Sequence, residues 1–595
     1  MKLQVKSWHV RVLAALLATA LIASACGDED EPDTTQPAAT AEAETAEAPE
    51  APAEDTAEAP EAPAEDTAEG PLAWQGHPCI PASADNQVAP QGKVVYVVGS
   101  LRGEDWLYPK VAFGSLANLM PMVEYLLCRD PATSEIVAGT GELAETWSHN
   151  DDFTAFEFKL REGIQFHDGW GELTTDDVEF SWNMIGADDS GNSSAAVFAK
   201  GTFEAIDRYQ FRITWPEPNP GFAADLTEVA PQFPINSKAY IEAVGEEEAR
   251  KNPIGTGPFQ FSSHEPGISV TFEALSDHWR IIPGVQTLEI RQVPENNTRK
   301  ELLKADEAHI TFINHGEIPE ILDAGLQVVS LPNSRQPTVY LLGQYLEPQY
   351  DPDDTPPWIT GDEQQEILIR EGLSRLIDRQ EILDFLFYGR GTLEHNCVQS
   401  WWPHYVGFDR NCVPDPYDVD AGLALLAQAG FEDPGDLVIL MDLTEHPTQT
   451  YNDDVALAVA QQWQAAGVTI ETQVTDYGTF ESRSTDRVAV EAFVYPPLPV
   501  SDACFFLGFI SLSTSRVSYT GESEEIERLI TECRAAILPA DKEALASELF
   551  EYMETRQLGL PVTYIDQVTA FAPNLVWDRN EVAPFLHAFD SIRFE

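Results

Sequence analysis

Residues 143–182 read LAETWSHNDDFTAFEFKLREGIQFHDGWGELTTDDVEFSW and carry more structural information than any other stretch of the chain. Phe153–Leu160 is rich in Phe and alternates in polarity, which predicts a strand. A glycine turn and the segment Phe166–Gly169 follow. Thr174–Asp177 then offers side chains that can cap a helix beginning near Val178. The stretch therefore predicts a strand, a glycine turn and a capped helix, in that order.

A second informative block, residues 252–280, reads NPIGTGPFQFSSHEPGISVTFEALSDHWR. Gly255, Gly257 and Pro258 predict a tight turn before a strand, and the Glu-Pro-Gly run that ends at Gly267 predicts a hairpin. Asp277-His278-Trp279 closes the block. The large aromatic side chains of both blocks are expected in the core, because such side chains are mostly packed.

The two blocks together resemble the hallmark segments of the extracellular solute-binding proteins of ABC importers, in the peptide/nickel-binding family (family 5). Further similar segments follow in the same order over about residues 90–595: 293–310, with His309 in place of the usual Asp, then 376–379 (LIDR), 417–431 and 560–564. The resemblance implies a protein that binds and delivers a solute and that is not an enzyme.

The resemblance also implies the fold: an α/β protein of the periplasmic-binding-protein type II-like kind, with two hinged lobes around a cleft and an extra domain. The expected domains are a signal peptide at 1–25, a lipidated cysteine and linker at 26–72, lobe I at 90–133 with 253–335 and 555–595, the extra domain at 134–252, and lobe II at 336–554.

Periodicity predicts several elements of the body. Residues 370–391 are expected to form one helix with Leu373, Leu376, Ile377 and Leu383 on one face. The segment 417–431 resembles a helix of the family, with Gly430 expected just after the helix end. A further helix is predicted by the buried stripe Val455, Val459, Trp463 and Ala466, and amphipathic helices are predicted at 524–534 and 541–553. Strands are predicted at 93–100, 468–474 and 560–564.

The overall charge excludes one class of partner. The 595 residues include 99 acidic and 35 basic side chains, for a net charge of −64. This balance argues against nucleic acid as a partner, because phosphate binding needs clustered Lys and Arg. Two interpretations stay open: a solvated acidic surface suited to a saline habitat, or an acidic cleft for a cationic solute.

The N-terminus predicts export. Three basic residues precede an apolar run at 12–25 that is too short to span a bilayer, as in a signal peptide. Ala23-Ser24-Ala25-Cys26 looks like a lipobox, although Ala23 stands where Leu is usual, so Cys26 is the expected lipidation site and simple secretion is the alternative. The acidic Pro/Ala/Glu-rich segment after it cannot bury a core and predicts a disordered tether. We expect a protein anchored by lipid alone to the outer face of the cytoplasmic membrane.

The remaining six cysteines suggest disulfides, as is common in exported proteins. Fifteen pairings are possible. Cys397 and Cys412 are close enough in sequence to close one loop, and we expect Cys79–Cys128 and Cys504–Cys533 as the other two pairs. The sequence offers no zinc-binding spacing, so neither a metal site nor a cofactor is expected.

The segment Val494–Leu507 (VYPPLPVSDACFFL) is the one to compare with peptide-binding members of the family. By resemblance, an Asp there holds the terminal amine of the peptide, but Pro499 occupies that position in this chain. Asp502 falls on a second acidic position and is either a cleft residue or a helix cap. Pro496 falls on the position of a Trp, and Tyr495 lies beside it. The resemblance therefore weakens the case for a peptide with a free amine.

Other candidate ligand-binding residues are mostly aromatic, because aromatic side chains line binding sites as well as cores. By the resemblance, the cleft begins in the loop after the first strand, which holds one candidate. Three candidates follow a helix of lobe II, and two lie at the end of a strand. These candidates are Trp106, Gln344, Tyr345, Trp401, Trp402 and Tyr405.

The function implied by the resemblance is capture of a peptide or similar medium-sized polar solute for an ABC permease and its ATPase, by a monomer. An oligosaccharide or metal-chelate receptor and a ligand sensor are the alternatives. A secreted hydrolase is disfavoured, because no nucleophile-elbow, zinc-protease or phosphate-loop motif occurs.

Overall fold

The computed structural model describes residues 89–594 except 102–109, 111–117, 130–135, 138–141, 193, 228–231, 398–411, 445–450, 497–502, 516 and 578–588. Every described residue lies in the compact unit Gly70–Glu595. The predicted signal peptide, Cys26 and the acidic tether therefore lie outside the described residues.

The described strands are, in chain order, β1 (Gln91–Val98), β2 (Cys128–Arg129), β3 (Ile136–Val137), β4 (Ala144–His149), β5 (Ala155–Leu160), β6 (Thr202–Ala205), β7 (Gln210–Thr214), β8 (Phe259–Glu265), β9 (Ser269–Ala274), β10 (Val285–Gln292), β11 (Ile310–Phe312), β12 (Gln327–Arg335), β13 (Thr338–Leu341), β14 (Gly391–Thr392), β15 (Val438–Asp442), β16 (Thr469–Gln473), β17 (Ala492–Tyr495), β18 (Leu560–Pro561), β19 (Tyr564–Phe571), β20 (Leu575–Val576) and β21 (Arg593–Phe594).

The described helices are α1 (Thr175–Ile185), α2 (Ala195–Phe198), α3 (Phe222–Asp225), α4 (Lys238–Val244), α5 (Glu246–Ala249), α6 (Asn296–Lys304), α7 (Ile318–Asp323), α8 (Glu363–Arg375), α9 (Arg379–Leu386), α10 (Val419–Gln428), α11 (Asn452–Ala465), α12 (Tyr477–Thr485), α13 (Ala503–Ser511), α14 (Glu524–Ala535) and α15 (Pro539–Thr555). In the part of the chain that the structure describes, none of these helices has the length and apolar character needed to cross a membrane.

Three larger sheets organise the fold. An eight-stranded sheet has the order β12-β19-β11-β1-β10-β9-β8, with β14 also paired to β19. A five-stranded sheet has the order β16-β15-β17-β13-β18, and a four-stranded sheet has the order β4-β5-β7-β6. Strand β1 lies in the middle of the first sheet and is parallel to both its neighbours, which explains its run of consecutive buried Val and Tyr side chains.

Residues 143–182 form part of the four-stranded sheet and the helix packed on it. Phe156, Phe158 and Leu160 of β5 alternate into its core, as the pattern predicted. The helix begins three residues earlier than predicted, at Thr175, because Thr174 and Asp177 form a reciprocal capping box. The prediction was therefore right about the caps and wrong about where the helix starts.

The two hallmark blocks of the sequence meet in space. The backbone N–H of Gly255 donates to His167 Nδ1 at 3.2 Å, so His167 Nε2–H is the donor to the Gly257 carbonyl at 2.8 Å. Burial lowers the pKa of His167, which favours the neutral imidazole that this arrangement requires. His167 thus joins the FHDG turn to the glycine turn 90 residues later.

The two glycines of that turn are required by close backbone packing. A Cβ on Gly255 would lie 2.0 Å from the carbonyl oxygen of Met122, and one on Gly257 would lie 2.6 Å from the Met122 carbonyl carbon. Gly257 N–H also donates to the Met122 carbonyl at 2.9 Å. The predicted hairpin at Gly267 is confirmed between β8 and β9, where Gly267 has a φ of +70°.

The predicted single helix over 370–391 is wrong, because the structure has two helices, α8 and α9. Asp378 accepts a hydrogen bond from the Glu381 N–H and so starts α9. The Arg379 guanidinium then reaches the Pro561 carbonyl and the Ser374 hydroxyl, at 2.8 and 2.7 Å. All four predicted core residues of this region are nevertheless buried.

Most other predicted elements are confirmed within a few residues, including the buried stripe Val455, Val459 and Trp463 on α11. Ala466, the fourth predicted member, is the residue after the helix and is half-buried. The disulfides Cys397–Cys412 and Cys504–Cys533 are also confirmed. Cys128 is disulfide-bonded as well, and its predicted partner Cys79 lies outside the described residues.

Candidate functional site

Two of the connections between the eight-stranded sheet and the five-stranded sheet are short, and the longer segments before and after β14 also pass between these sheets. Strand β12 of the first continues through Gln336-Pro337 into β13 of the second, and β18 of the second returns through Val562-Thr563 into β19 of the first. The crossings are joined by the Val562 N–H, which donates to the Pro337 carbonyl at 2.8 Å. We call these four residues the hinge, because such short connections between two sheets can absorb a change in their relative orientation.

Both sheets turn the carboxyl ends of their parallel strands toward the hinge. In the eight-stranded sheet, β12 runs in the same direction as β1, β10 and β11 and ends at the hinge. In the five-stranded sheet, β13 begins at the hinge, and its first residue, Thr338, pairs with Tyr495, the last residue of β17. Strands β15 and β16 are parallel to β17 and end on the same side. A cleft above the hinge is therefore lined by strand carboxyl ends from both sheets.

Each sheet also changes its winding direction at this edge. From β15 the chain passes through α11 to β16 on one side, and then through α12 to β17 on the other side of β15. In the same way, β10 and β11 flank β1 on opposite sides and are connected through α6. Open α/β sheets bind ligands in the crevice at such a switch point. The crevice between the ends of β15 and β17 is thus the candidate site in the five-stranded sheet.

The first turn of α11 brings polar groups to this crevice. The Asn452 side chain amide donates to the Val494 carbonyl near the end of β17, at 3.3 Å, and Asn452 is only 2% exposed. Its Oδ1 atom, together with the Tyr451 hydroxyl and Asp453 Oδ1, is buried without a hydrogen-bond partner among the described residues. Each such group costs about 1–3 kcal/mol when it stays unpaired. Three in succession at a switch point indicate a site for a polar ligand.

The last residue of β12 and the hinge add further polar side chains. Arg335, 2% exposed, lies close enough to Tyr451 that its charge opposes the rise in the pKa of the Tyr451 phenol that burial causes. Gln336 donates to Asn396 Oδ1 at 2.9 Å and to the Cys397 carbonyl at 3.1 Å. These contacts fix the start of the disulfide-closed segment to the hinge.

Aromatic contacts cross between the two sheets beside the hinge. His315 follows β11 of the eight-stranded sheet, and its ring centroid lies 5.1 Å from that of Phe387, which follows α9. Phe387 in turn lies 5.6 Å from Tyr451. Burial lowers the pKa of His315 to about 4, so its imidazole is neutral at neutral pH. His315 therefore extends the candidate site to the eight-stranded sheet without adding charge.

Among the ligand-binding residues proposed from the sequence, Tyr495 lies at this edge. It ends β17, and its ring centroid is 5.0 Å from that of Tyr519. Gln344 and Tyr345 lie beyond the opposite end of β13, because β13 runs away from the hinge. Gln344 accepts a hydrogen bond from Arg370, and the Tyr345 hydroxyl donates to the Ala489 carbonyl. The structure thus does not place these two in the cleft, and we leave them out of the candidate site.

The other sequence candidates, Trp106, Trp401, Trp402, Tyr405 and Asp502, lie outside the described residues. Three described residues precede the stretches that contain these candidates. They are Leu101 after β1, Cys397, whose carbonyl accepts a hydrogen bond from Gln336 of the hinge, and Pro496 after β17. Among the described residues, no group of three or more His, Cys, Asp and Glu side chains is placed to hold a metal ion.

Sequence reasoning missed the residues that the structure brings together here, Arg335, Tyr451, Asn452 and Asp453. The signal available was the polar run Tyr451-Asn452-Asp453-Asp454 immediately before the apolar stripe of α11. Such a run is typical of any helix start, so it did not distinguish a site from a cap.

The family is identified by comparison. The family model for the middle region of the bacterial extracellular solute-binding proteins, family 5, matches residues 140–493, which is more than half of the chain. The chain belongs to this family. Family 5 consists of solute-binding proteins, and the match confirms the prediction of a binding protein rather than an enzyme.

Known family-5 relatives support the assignment over much of the chain. The dipeptide-binding protein of Escherichia coli K12 is 26% identical over 400 residues, which cover 62% of this chain and 69% of that protein. Alignments with two further curated relatives cover 61% and 65% of their lengths.

Solved structures show the same fold. The periplasmic binding protein DppA from Helicobacter pylori, in complex with the peptide STSA, matches with a TM-score of 0.71 and 19% identity over 85% of this chain and 98% of that chain. The binding protein MoaA from A. tumefaciens R10, in complex with mannopinic acid, matches with a TM-score of 0.67 and 20% identity over 85% and 100%. The predicted periplasmic-binding-protein type II-like fold is therefore confirmed.

Proposed function

We propose that this family-5 member is the solute-binding lipoprotein of an ABC importer, and that it captures a peptide in the cleft above the hinge. The observation that carries the proposal is the first turn of α11, where Tyr451, Asn452 and Asp453 bury polar atoms without partners at the switch point of the five-stranded sheet. These atoms can exchange hydrogen bonds with the amide groups of a peptide backbone.

The relatives favour a peptide over the other solutes considered. The Escherichia coli relative is a dipeptide-binding protein, and the Helicobacter pylori protein was solved with a peptide bound. The same fold in MoaA holds mannopinic acid, so an opine or sugar-like solute is the competing ligand class. The same fold in NikZ from Campylobacter jejuni holds Ni(L-His), so a metal chelate that brings its own ligands is a second competing class.

The geometry suggests how capture works. Two short crossings connect the sheets, so a rotation at the hinge opens and closes the cleft. A peptide that contacts both cleft edges binds the closed form better and shifts the population toward it. Closure then presents a single surface to the permease, which works with an ATPase. In this proposal the receptor is a monomer, and diacylated Cys26 holds it at the outer face of the cytoplasmic membrane.

A thermal-shift screen tests the ligand class. Residues 26–595 carrying Cys26→Ser, which prevents lipidation, would be mixed in turn with peptides, oligosaccharides and metal chelates. A peptide at 100 times its dissociation constant should stabilise the fold by about 2.7 kcal/mol. Mass spectrometry should recover that peptide unchanged. Stabilisation by oligosaccharides alone would replace the proposed ligand, and chemical conversion of any stabilising compound would contradict a binding function.

A further inference from the structure

The segment 391–397 crosses between the two sheets beside the hinge. It follows α9, which packs on the five-stranded sheet, and it begins with β14 on the eight-stranded sheet, where Gly391 pairs with Ile565 and Thr392 with Tyr564. The two strands are so close that a Cβ on Gly391 would lie 2.0 Å from the Tyr564 carbonyl oxygen. We call residues 391–397 the strap, because they pass from the helices of one sheet onto the other sheet.

The strap is hydrogen-bonded to both connections of the hinge. Gln336 of the first connection donates from Nε2 to Asn396 Oδ1 at 2.9 Å and to the Cys397 carbonyl at 3.1 Å. Thr563 of the second connection donates from Oγ1 to the Thr392 carbonyl at 3.3 Å. Gln336, Asn396, Cys397 and Thr563 are all buried. A rotation at the hinge therefore has to move the strap or break these hydrogen bonds.

The disulfide Cys397–Cys412 fixes the far end of the strap. Shortly after Cys412, the Asp415 carboxylate accepts a hydrogen bond from the Ser374 hydroxyl of α8 at 2.7 Å, and the Asp415 carbonyl accepts one from the Arg379 guanidinium of α9 at 3.3 Å. Cys412 is thus close to the same helices from which the strap departs. Because the two cysteines are 15 residues apart in sequence, the strap is tied tightly to these helices at both ends only while the disulfide is intact.

The disulfide at the strap is also the more accessible of the two whose cysteines are both described. Cys412 is half-buried, whereas Cys504 and Cys533 are both fully buried. Thiol–disulfide exchange requires that an attacking thiolate reach one of the sulfur atoms. We therefore expect the Cys397–Cys412 bond to be reduced before the Cys504–Cys533 bond.

We propose that the Cys397–Cys412 disulfide is a redox-sensitive brace of the hinge. In the oxidised protein the brace acts through the strap and restrains rotation at Gln336 and Thr563. The reduced protein keeps the strap attached to the helices at one end only, so its hinge is looser and its cleft opens over a wider range. The proposal does not depend on which solute the cleft binds.

A dithiol reductant opens the brace by two exchange steps. Its first thiolate attacks the Cys412 sulfur, the disulfide bond breaks, and Cys397 leaves as a thiolate that takes up a proton. Its second thiolate then attacks the sulfur that is now bonded to Cys412, and Cys412 leaves in the same way. The reductant becomes a disulfide, and the protein gains two electrons and two protons as two thiols.

Hydrogen–deuterium exchange of the ligand-free protein tests the brace. The Cys26→Ser protein would be prepared with no further change, with Cys397→Ser and Cys412→Ser together, and with the matched control Cys504→Ser and Cys533→Ser together. The control also loses one disulfide, but that disulfide joins α13 to α14 and does not hold the strap.

Loss of the brace should make exchange about tenfold or more faster in the strap and at the Val562 amide, because local opening controls the exchange of such protected amides. The Val562 N–H is a direct reporter, since it donates to the Pro337 carbonyl and joins the two hinge connections. Exchange in β15 should stay unchanged, and the control should show no acceleration in the strap or the hinge. Unchanged exchange at both places, or the same acceleration in the control, would overturn the inference.

Should the Cys397→Ser/Cys412→Ser protein fail to fold, Gln336→Ala provides a second variant. It removes the two hydrogen bonds from the hinge to the strap and keeps every disulfide. Exchange in the strap should then rise by a few-fold, as expected for the loss of buried hydrogen bonds. An unchanged rate in folded Gln336→Ala would show that the strap is not coupled to the hinge.

Reduction of the unmodified protein tests the redox sensitivity. After increasing times with dithiothreitol under native conditions, the new thiols would be alkylated and located by mass spectrometry. Cys397 and Cys412 should be labelled before Cys504 and Cys533, and exchange in the strap should accelerate as they are labelled. Labelling at equal rates or in the reverse order would overturn the proposal. None of these measurements needs a ligand, so failure of the brace and failure of the proposed function are separate results.

Discussion

Replacing Arg280 with leucine should destabilise the folded protein by about 3–5 kcal/mol, because the change leaves two buried carboxylates without their cation. The Arg280 side chain is only 4% exposed. Its Nε donates to Glu124 Oε1 at 3.1 Å, and its Nη1 donates to Asp590 Oδ2 at 2.7 Å. Although burial alone would raise the pKa of Glu124, His278 and Arg280 lower it to about 2, so Glu124 is charged and depends on these partners.

Urea denaturation of Arg280→Leu beside the unmodified protein checks this expectation. Lys304→Met is the matched control, since Lys304 also bridges two acids, Glu301 at 3.0 Å and Glu320 at 2.7 Å, but on the surface. Exposed pairs contribute about 0–1 kcal/mol, so the control should change little. A loss of less than about 1 kcal/mol for Arg280→Leu would show that the buried cluster does not stabilise the fold.

Asp225→Asn should stabilise the protein at pH 8 and have almost no effect at pH 4. Asp225, on α3, is 3% exposed, and its Oδ1 has no partner among the described residues. Burial raises the pKa of Asp225 to about 7, and the charge of Arg534 opposes the shift only in part. The folded state therefore binds this proton more tightly than the unfolded state, and the carboxyl group weakens the fold progressively as the pH rises toward 7.

Asparagine cannot ionise, so the variant escapes this penalty. Three pKa units correspond to about 4 kcal/mol, which is an upper bound on the gain at pH 8. This gain is measured by the denaturation midpoints of the unmodified protein and of Asp225→Asn between pH 4 and pH 8. Asp188→Asn, an exposed acid of the same region, should change stability by less than about 0.5 kcal/mol. A destabilised Asp225→Asn at pH 8 would mean that the charged carboxylate is needed by the fold.

The elements predicted correctly from the sequence are those that depend on short-range patterns. The apolar run of β1, the alternation in β5 and the Thr174–Asp177 cap could be predicted from the sequence, because each depends on neighbours within one turn or strand. The break between α8 and α9 was missed, since Asp378 looks like any polar residue of an amphipathic helix until Arg379 is seen to reach β18.

The features that the sequence did not predict depend on long-range packing. His167 and Gly257 are 90 residues apart, and no local pattern joins them. Gln344 and Tyr345 were placed in the cleft by resemblance, but the direction of β13 takes them away from it. Asn452 became a candidate only through its contact with β17. The domain boundaries and the role of the acidic surface remain predictions.

The central claim is that a peptide binds between the carboxyl ends of the two sheets, above the hinge. Hydrogen–deuterium exchange, with and without a stabilising peptide, tests it most directly. Protection should concentrate in three described segments: 336–338, which covers the first hinge connection and the start of β13; 452–456 at the start of α11; and 492–496, which covers β17 and the residue after it. Protection confined to the far end of β13 around Tyr345, or to the four-stranded sheet, would contradict the account.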